Sequence, residues 1–261
     1  MLETVRYEGR RRLRGAAILT AGVGAYAGFI VWYFSVLEGV DYEDVFEDLP
    51  PAMVEAFGIE NLSTIEGFLG AQVFNFVWLL GLGLYFAYVA GGTVARDIET
   101  ERMDLLLSFP VTRSRLLVEK FAALLVPIIA VNALGGPIIY LFVLAVGETV
   151  PLDHLFLAHL LSVPFFLVCA GIGLVFSVAV DRAAIAERGA AGTVFLLYLV
   201  ESVVGGADAY DWIQYLSPTQ YYEPTPILID GSYELIDSAV LLVALVGLII
   251  LSQALFERRD I

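Results

Sequence analysis

Residues 96–120 read RDIETERMDLLLSFPVTRSRLLVEK. Five basic and five acidic residues crowd around one short apolar stripe and a proline. Long, almost uncharged runs lie on both sides. Such an island makes physical sense if the flanking runs cross a bilayer and the island is a short segment folded back between two of them.

The composition agrees. The chain has 261 residues, of which 59% are apolar, and a mean hydropathy of +0.81. Soluble domains are about 45–50% apolar, and the excess here is gathered into runs. About 20 apolar residues span a hydrocarbon core. Six runs reach or approach that length: 16–37, 68–95, 116–146, 155–180, 190–207 and 235–256. The expected fold class is an all-α membrane protein with six transmembrane helices. Pro127 and the cluster Gly135-Gly136-Pro137 predict a kink or break in the third run.

The charges supply the topology. All 14 Lys and Arg fall at four places: before run 1, between runs 2 and 3, between runs 4 and 5, and after run 6. With six spans these places share one side, which the positive-inside rule makes cytoplasmic. Both termini are then expected inside. The other three loops carry 17 Asp and Glu and no basic residue. With a net charge of −15 and a single lysine, Lys120, the composition resembles that of proteins from salt-loving archaea. There the Debye length shrinks to about 3 Å at 1 M salt and screens the acidic repulsion.

Details within this frame are structural. The basic stretch MLETVRYEGRRRLR (1–14) reads as a topology anchor among lipid phosphates. The run after it is long for a signal-peptide core, and no small-residue cleavage site is evident, so it reads as a retained helix. In the first acidic loop, Pro50-Pro51 followed by Met53, Val54, Phe57 and Ile59 suggests short helices on the membrane surface. Ser63 or Thr64 is placed to cap the second span, with Glu66 completing a capping box if Ser63 is the cap. Gly24 and Gly28, with Gly81, Gly83, Gly171 and Gly173, have the small-residue character that lets membrane helices approach. Gln72, Asn75 and Asn132 are expected to hydrogen-bond between helices. Trp212, Tyr210, Tyr215, Tyr221 and Tyr222 suit an interfacial aromatic belt. Pro218, Pro224 and Pro226 rule out one continuous helix there. Cys169, the only cysteine, has no intrachain disulfide partner.

Several functions lack their chemistry. Lys120 has no glycine-rich loop beside it, so there is no Walker A loop and ATP hydrolysis is not expected on this chain. His154 and His159 are the only histidines. Their five-residue spacing puts them on different helix faces, which does not suit a zinc pair. No catalytic, metal or cofactor residues are assigned, and the membrane-flanking basic residues do not form a nucleic-acid face. Glu201, late in run 5, is the one carboxylate well inside a span and the one candidate for a transport pathway.

Within the island, Asp97, Glu99 and Glu101 are expected in the first turn of a short helix at about 99–109, where the helix dipole favours them. Met103, Leu106 and Leu107 share a narrow apolar face. Pro110 stops the helix, Thr112 caps the next, and Arg115 pairs with Glu119 at i, i+4. An amphipathic helix below a membrane needs a lipid surface or a protein groove. Asp97, Glu99, Glu101 and Asp104 weigh against an anionic lipid surface and favour a protein.

This segment resembles the membrane subunits of ABC-2 type ABC transporters. Glu99, Asp104, Leu105, Leu106, Leu107, Ser108, Pro110, Val111, Thr112, Arg113, Leu116, Leu117 and Lys120 sit at that family's pattern positions. Arg102-Met103 stands where many members have Gly-Thr. Weaker likenesses run in order along the chain: RYEGRRRLRG (6–15), LPPAMVEAFG…LSTIEGFLG (49–70) and YLSPTQYY (215–222). The resemblance implies one ABC-2 transmembrane domain over 1–261 and a pathway shared with a second permease copy or paralogue. It also implies a separate ATPase subunit that binds ATP, with export as the usual direction. The helix between spans 2 and 3 is then a coupling helix, and Glu99, Met103, Asp104, Leu106, Leu107, Phe109, Pro110 and Arg113 are its expected ATPase-docking residues. A secondary carrier or channel would need more ionisable residues at mid-membrane than Glu201 alone. A membrane assembly factor without transport is the other alternative.

Overall fold

A computed structural model describes residues 3–37, 62–204 and 211–259. The surface helices expected around Met53–Ile59, and Tyr210, lie outside these residues. The described residues are helical, with no strand among them. Helix α1 is Glu3–Val36 and α2 is Ile65–Leu69. The chain winds on as a π-helix over Gly70–Leu82 and becomes α3, Gly83–Glu99. Then come α4 (Arg102–Leu107), α5 (Arg113–Ala122), α6 (Leu125–Ala145), α7 (Leu152–Ala179) and α8 (Ala183–Val204). Two 3-10 turns, Asp211–Leu216 and Pro218–Tyr221, lead to α9 (Pro224–Asp230) and α10 (Leu235–Glu257).

Six helical segments are long and apolar enough to cross a membrane: Tyr7–Val36, Ile65–Glu99, Arg113–Ala145, Leu152–Ala179, Ala183–Ser202 and Leu235–Glu257. They are the six runs of the sequence, with shifted ends. The basic stretch forms the first turns of α1. That helix has 34 residues, about 51 Å at 1.5 Å per residue, well beyond a hydrocarbon core of about 30 Å. The fifth span starts at Ala183, not near 190, because Glu187 is tolerated inside the bundle by pairing with Arg96. The third span breaks between α5 and α6, at Ala123–Leu124. Pro127 has no N–H for the Ala123 carbonyl, so the break falls one turn before it. Pro137 stays inside α6. Thr64, not Ser63, caps α2, accepting from Gly67 N–H at 3.2 Å.

Helix α7 is the hub. Of its span window, 61% is buried, against 22% for the α10 window, which lies at the outside of the bundle. It packs on α3, α8 and α10, while α1 packs on α6. Glycines allow these approaches. A Cβ on Gly173 would meet the Ala90 Cβ at 2.7 Å and the Ala87 carbonyl oxygen more closely still. Gly24 and Gly28 of α1 face Ile138 and Phe142 of α6. Trp78, Phe74, Phe86, Phe165 and Phe166 fill the middle. Ile18, Phe29 and Trp32 of α1, and Val243, Val246 and Ile250 of α10, stay exposed, as lipid-facing positions require.

Antiparallel spans gather the charges. The start of α1, the α3–α4–α5 turn, the α7–α8 turn and the end of α10 meet at one end, which carries the Lys and Arg of the described residues. The opposite end, with Glu148, Asp153, Glu223, Glu234 and Asp237, is acidic.

Candidate functional site

The α3–α4–α5 turn is built by short-range rules. Helix α3 closes at Glu99, and Glu101 takes the left-handed conformation at φ 56°. This reverses the chain at a non-glycine residue, a conformation that costs about 1–2 kcal/mol. Helix α4 has only six residues. Ser108 Oγ donates to the Leu105 carbonyl at 2.7 Å. The chain then turns through Phe109 and Pro110, and Thr112 Oγ1 accepts from Arg115 N–H at 3.4 Å to start α5. Arg115 Nε donates to Glu119 Oε1 at 2.8 Å, the expected pair.

Two features differ from the sequence reading. Asp97 and Glu99 are not in the first turn of the short helix; they close α3, at the end where the helix dipole disfavours acids. Local partners offset that. Lys120 Nζ binds Asp97, and Arg102 lies 3.5 Å from the same carboxylate. Glu99 Oε2 accepts from the Ala183 N–H at 3.0 Å, capping α8. The second difference concerns the apolar face. Met103 is buried, and Leu106 and Leu107 pack half-buried on the core. The chain's own spans cover that stripe. The exposed apolar residues are Leu105, at 67%, and Phe109, at 64%, which stand four apart.

Around this turn the helix ends are tied together. Arg96 of α3 binds Glu187 of α8. Arg113 donates to the Phe256 carbonyl at 3.2 Å and to the Arg259 carbonyl, with its guanidinium 5.9 Å from the centre of the Phe256 ring. Ser114 binds Glu257, and Arg259 binds Asp181 and the Val178 carbonyl. The helices on either side of α4 are thus tied to the start of α8 and the end of α10. Lys120 and Asp97 are 2% and 5% exposed, which makes theirs a buried pair between α3 and α5. The sequence shows these charges but not their partners, which lie 23 to 146 residues apart along the chain.

Of the expected docking residues, Asp104, Phe109 and Pro110 are exposed, while Glu99, Met103 and Arg113 are engaged within the chain. A shallow hollow lined by Asp104, Leu107, Ser108, Val111, Thr112 and Arg113 lies beside them. Glu201 is at the acidic end, half-buried, where its Oε2 accepts from Thr219 Oγ1 at 3.2 Å.

A second polar network lies inside the bundle, in the half toward the acidic end. Trp78 Nε1 donates to Ser162 Oγ at 3.1 Å, Ser162 reaches Asn132 Oδ1 at 2.7 Å, and the His159 ring packs 4.6 Å from Trp78, centre to centre. Asn75 Nδ2 donates to Thr225 Oγ1 at 3.2 Å, and the Gln72 main-chain carbonyl accepts from Tyr26 OH at 3.3 Å. Trp212 and Tyr215 are exposed as belt residues should be, but Tyr222 is not. It is buried, stacked on Phe165, and donates to the Ala158 carbonyl at 2.8 Å. Burial pushes its phenol well above the usual range, against a smaller downward pull from Ser162, and keeps it a donor. Pro218 and Pro224 open their helices at the first turn, where proline is favoured.

Six apolar spans around a buried interior define a multi-pass membrane protein. The chain belongs to the ABC-2 family of transporter proteins, whose family model matches residues 25–261. It is a membrane-spanning subunit of that family, placed in the cell membrane. Such subunits generally work with an ABC ATPase and are generally not catalytic themselves. No curated protein sequence matches the chain.

Proposed function

We propose that this chain is the permease of an ATP-driven exporter, with ATP bound and hydrolysed on a separate ATPase subunit. The whole of 1–261 forms one transmembrane domain, paired with a second permease copy or paralogue. The basic end faces the cytoplasm by the positive-inside rule, so both termini and α4 are inside. The observation that carries the reading is the exposed pair Leu105, on α4, and Phe109, in the turn just after it, on a segment whose flanks are tied to α8 and α10. An ATPase groove that takes these two side chains, with Asp104 and Pro110 at its rim, grips α4 as a coupling helix. Closure of two ATPase subunits then moves α3 and α5 together through Asp97–Lys120 and carries α8 and α10 with them. Glu201 is the ionisable side chain within a span that a solute would meet toward the acidic end. The acidic surplus suits a high-salt habitat.

The test is co-expression with candidate ABC ATPases from the same genome. Leu105→Asp with Phe109→Asp should abolish co-purification and permease-dependent ATP hydrolysis. Because both residues are exposed, the thermal midpoint should stay within the roughly 0.5 kcal/mol equivalent of a surface change. Intact association in that variant refutes the docking reading. The absence of any associating ATPase points instead to a carrier or an assembly factor.

A further inference from the structure

The basic end contains a pocket, one wall of which is the Asp97–Lys120 pair. It is lined by Glu8, Arg11 and Arg12 of α1, Tyr88, Val89, Gly92, Thr93, Arg96 and Asp97 of α3, and Arg102 and Lys120. Its volume is about 240 Å³. Five cations meet two carboxylates on its walls, and Glu187, behind Arg96, is a third. Two positive charges are left over. The commitments identify them. Arg102 serves Asp97, Lys120 is shared between Asp97 and Glu8, which lies 3.8 Å away, and Arg96 serves Glu187. Arg11 and Arg12 have no ion pair among the described residues, and Arg12 Nε is buried without a hydrogen-bond partner. A buried guanidinium nitrogen left unsatisfied costs more than a typical hydrogen bond returns, so it calls for an acceptor. The pocket is also amphipathic. Arg11 and Arg12 lie where α1 passes from its basic turns into its apolar run, and Tyr88 and Val89 stand a turn closer to the membrane interior than Gly92.

We propose that this pocket binds a phosphate group, and that the group belongs to the headgroup of an anionic phospholipid. Phosphate oxygens supply the acceptors that Arg12 Nε and Arg11 lack, and its charge offsets the surplus. The lipid source is favoured over free phosphate by the level of the site and by Tyr88, 42% exposed, beside which a glycerol backbone and acyl chain can lie. Basic pockets between membrane helices recognise lipid headgroups in this way. The occupant would touch the wall formed by Asp97 and Lys120, the pair that joins α3 to α5. The inference is independent of the ATPase and survives if the exporter reading fails.

The test uses the full chain in nanodiscs of phosphatidylcholine doped with phosphatidylglycerol, with bound lipid counted by native mass spectrometry. Arg11→Gln with Arg12→Gln should weaken phosphatidylglycerol retention by at least about tenfold. Arg10→Gln with Arg14→Gln removes the same charge from exposed positions that do not line the pocket, and should leave retention within about twofold. Equal losses in the two variants mean diffuse surface attraction and overturn the site. So does unchanged retention in the first. Inorganic phosphate added to the wild-type protein separates the sources: displacement of the lipid by phosphate alone assigns the pocket to free phosphate and overturns the lipid assignment. If the pocket variant does not fold, a photoactivatable phosphatidylglycerol on the wild-type chain decides. Crosslinks on the peptides of 8–12 and 88–96 support the site, and crosslinks only elsewhere refute it.

Discussion

Replacing Lys120 by Met tests the buried ion pair between α3 and α5, and also removes the Glu8 contact at 3.8 Å. Lys120 is 2% exposed and its partner Asp97 is 5% exposed. The substitution keeps the apolar stem and removes the ammonium, which leaves the Asp97 carboxylate buried. Removing one partner of a buried pair costs about 3–5 kcal/mol. Arg102 stays 3.5 Å from Asp97, and its side chain is 45% exposed, so it compensates only in part and the lower figure, about 3 kcal/mol, applies. Adding Asp97→Leu should restore most of that stability, to within about 1 kcal/mol of the wild type, because two apolar groups then face each other. The double-mutant cycle should give a coupling of at least about 2 kcal/mol, larger by whatever Asp97→Leu costs alone. The assay is reversible unfolding of the purified chain in mixed micelles against an increasing SDS fraction. A loss below about 1 kcal/mol for Lys120→Met, or a double variant as unstable as the sum of the singles, refutes the buried-pair argument.

Other expectations follow from packing and hydrogen bonding. Gly173→Ala places a methyl against the Ala87 carbonyl and Ala90, backbone that has no room to yield. It should cost about 1–3 kcal/mol in the same assay, whereas Gly22→Ala, with nothing within 4 Å, should be neutral or slightly stabilising. Trp78→Phe removes the N–H that Ser162 Oγ accepts and opens space beside His159, for a loss of about 1–3 kcal/mol by thermal melting. Tyr222 gives a pH signature. Its phenol titrates higher in the folded chain than when unfolded, so its contribution is complete below about pH 10, the free phenol value, and is lost as the pH rises further. Tyr222→Phe should remove part of that alkaline loss, measured as the difference in melting temperature between neutral and alkaline buffer.

The amino-acid order by itself determined the number of spans, their sequence positions and the partition of charge. A bilayer selects on length and apolarity, and both are local properties of the chain. The turn at 96–120 was legible for the same reason: Pro110, the Thr112 cap and the Arg115–Glu119 pair each act within four residues. Only the tertiary structure decided which apolar face of α4 is left outside. Met103, Leu106 and Leu107 form a stripe that either a partner or the chain's own spans can cover, and the helical period of 3.6 is the same in both cases. The spans cover it, leaving Leu105 and Phe109 exposed. Asp97 and Glu99 likewise read as the favourable start of a helix, yet they end one, because Lys120 and the first N–H of α8 reach them across the fold. Tyr222 followed the same logic. Its composition suited the membrane interface, but a ring to stack on and the Ala158 carbonyl, 64 residues away, drew it inside. Charges and hydroxyls in a membrane bundle are placed by the partners that satisfy them, and those partners are set by how helices distant in the sequence pack together.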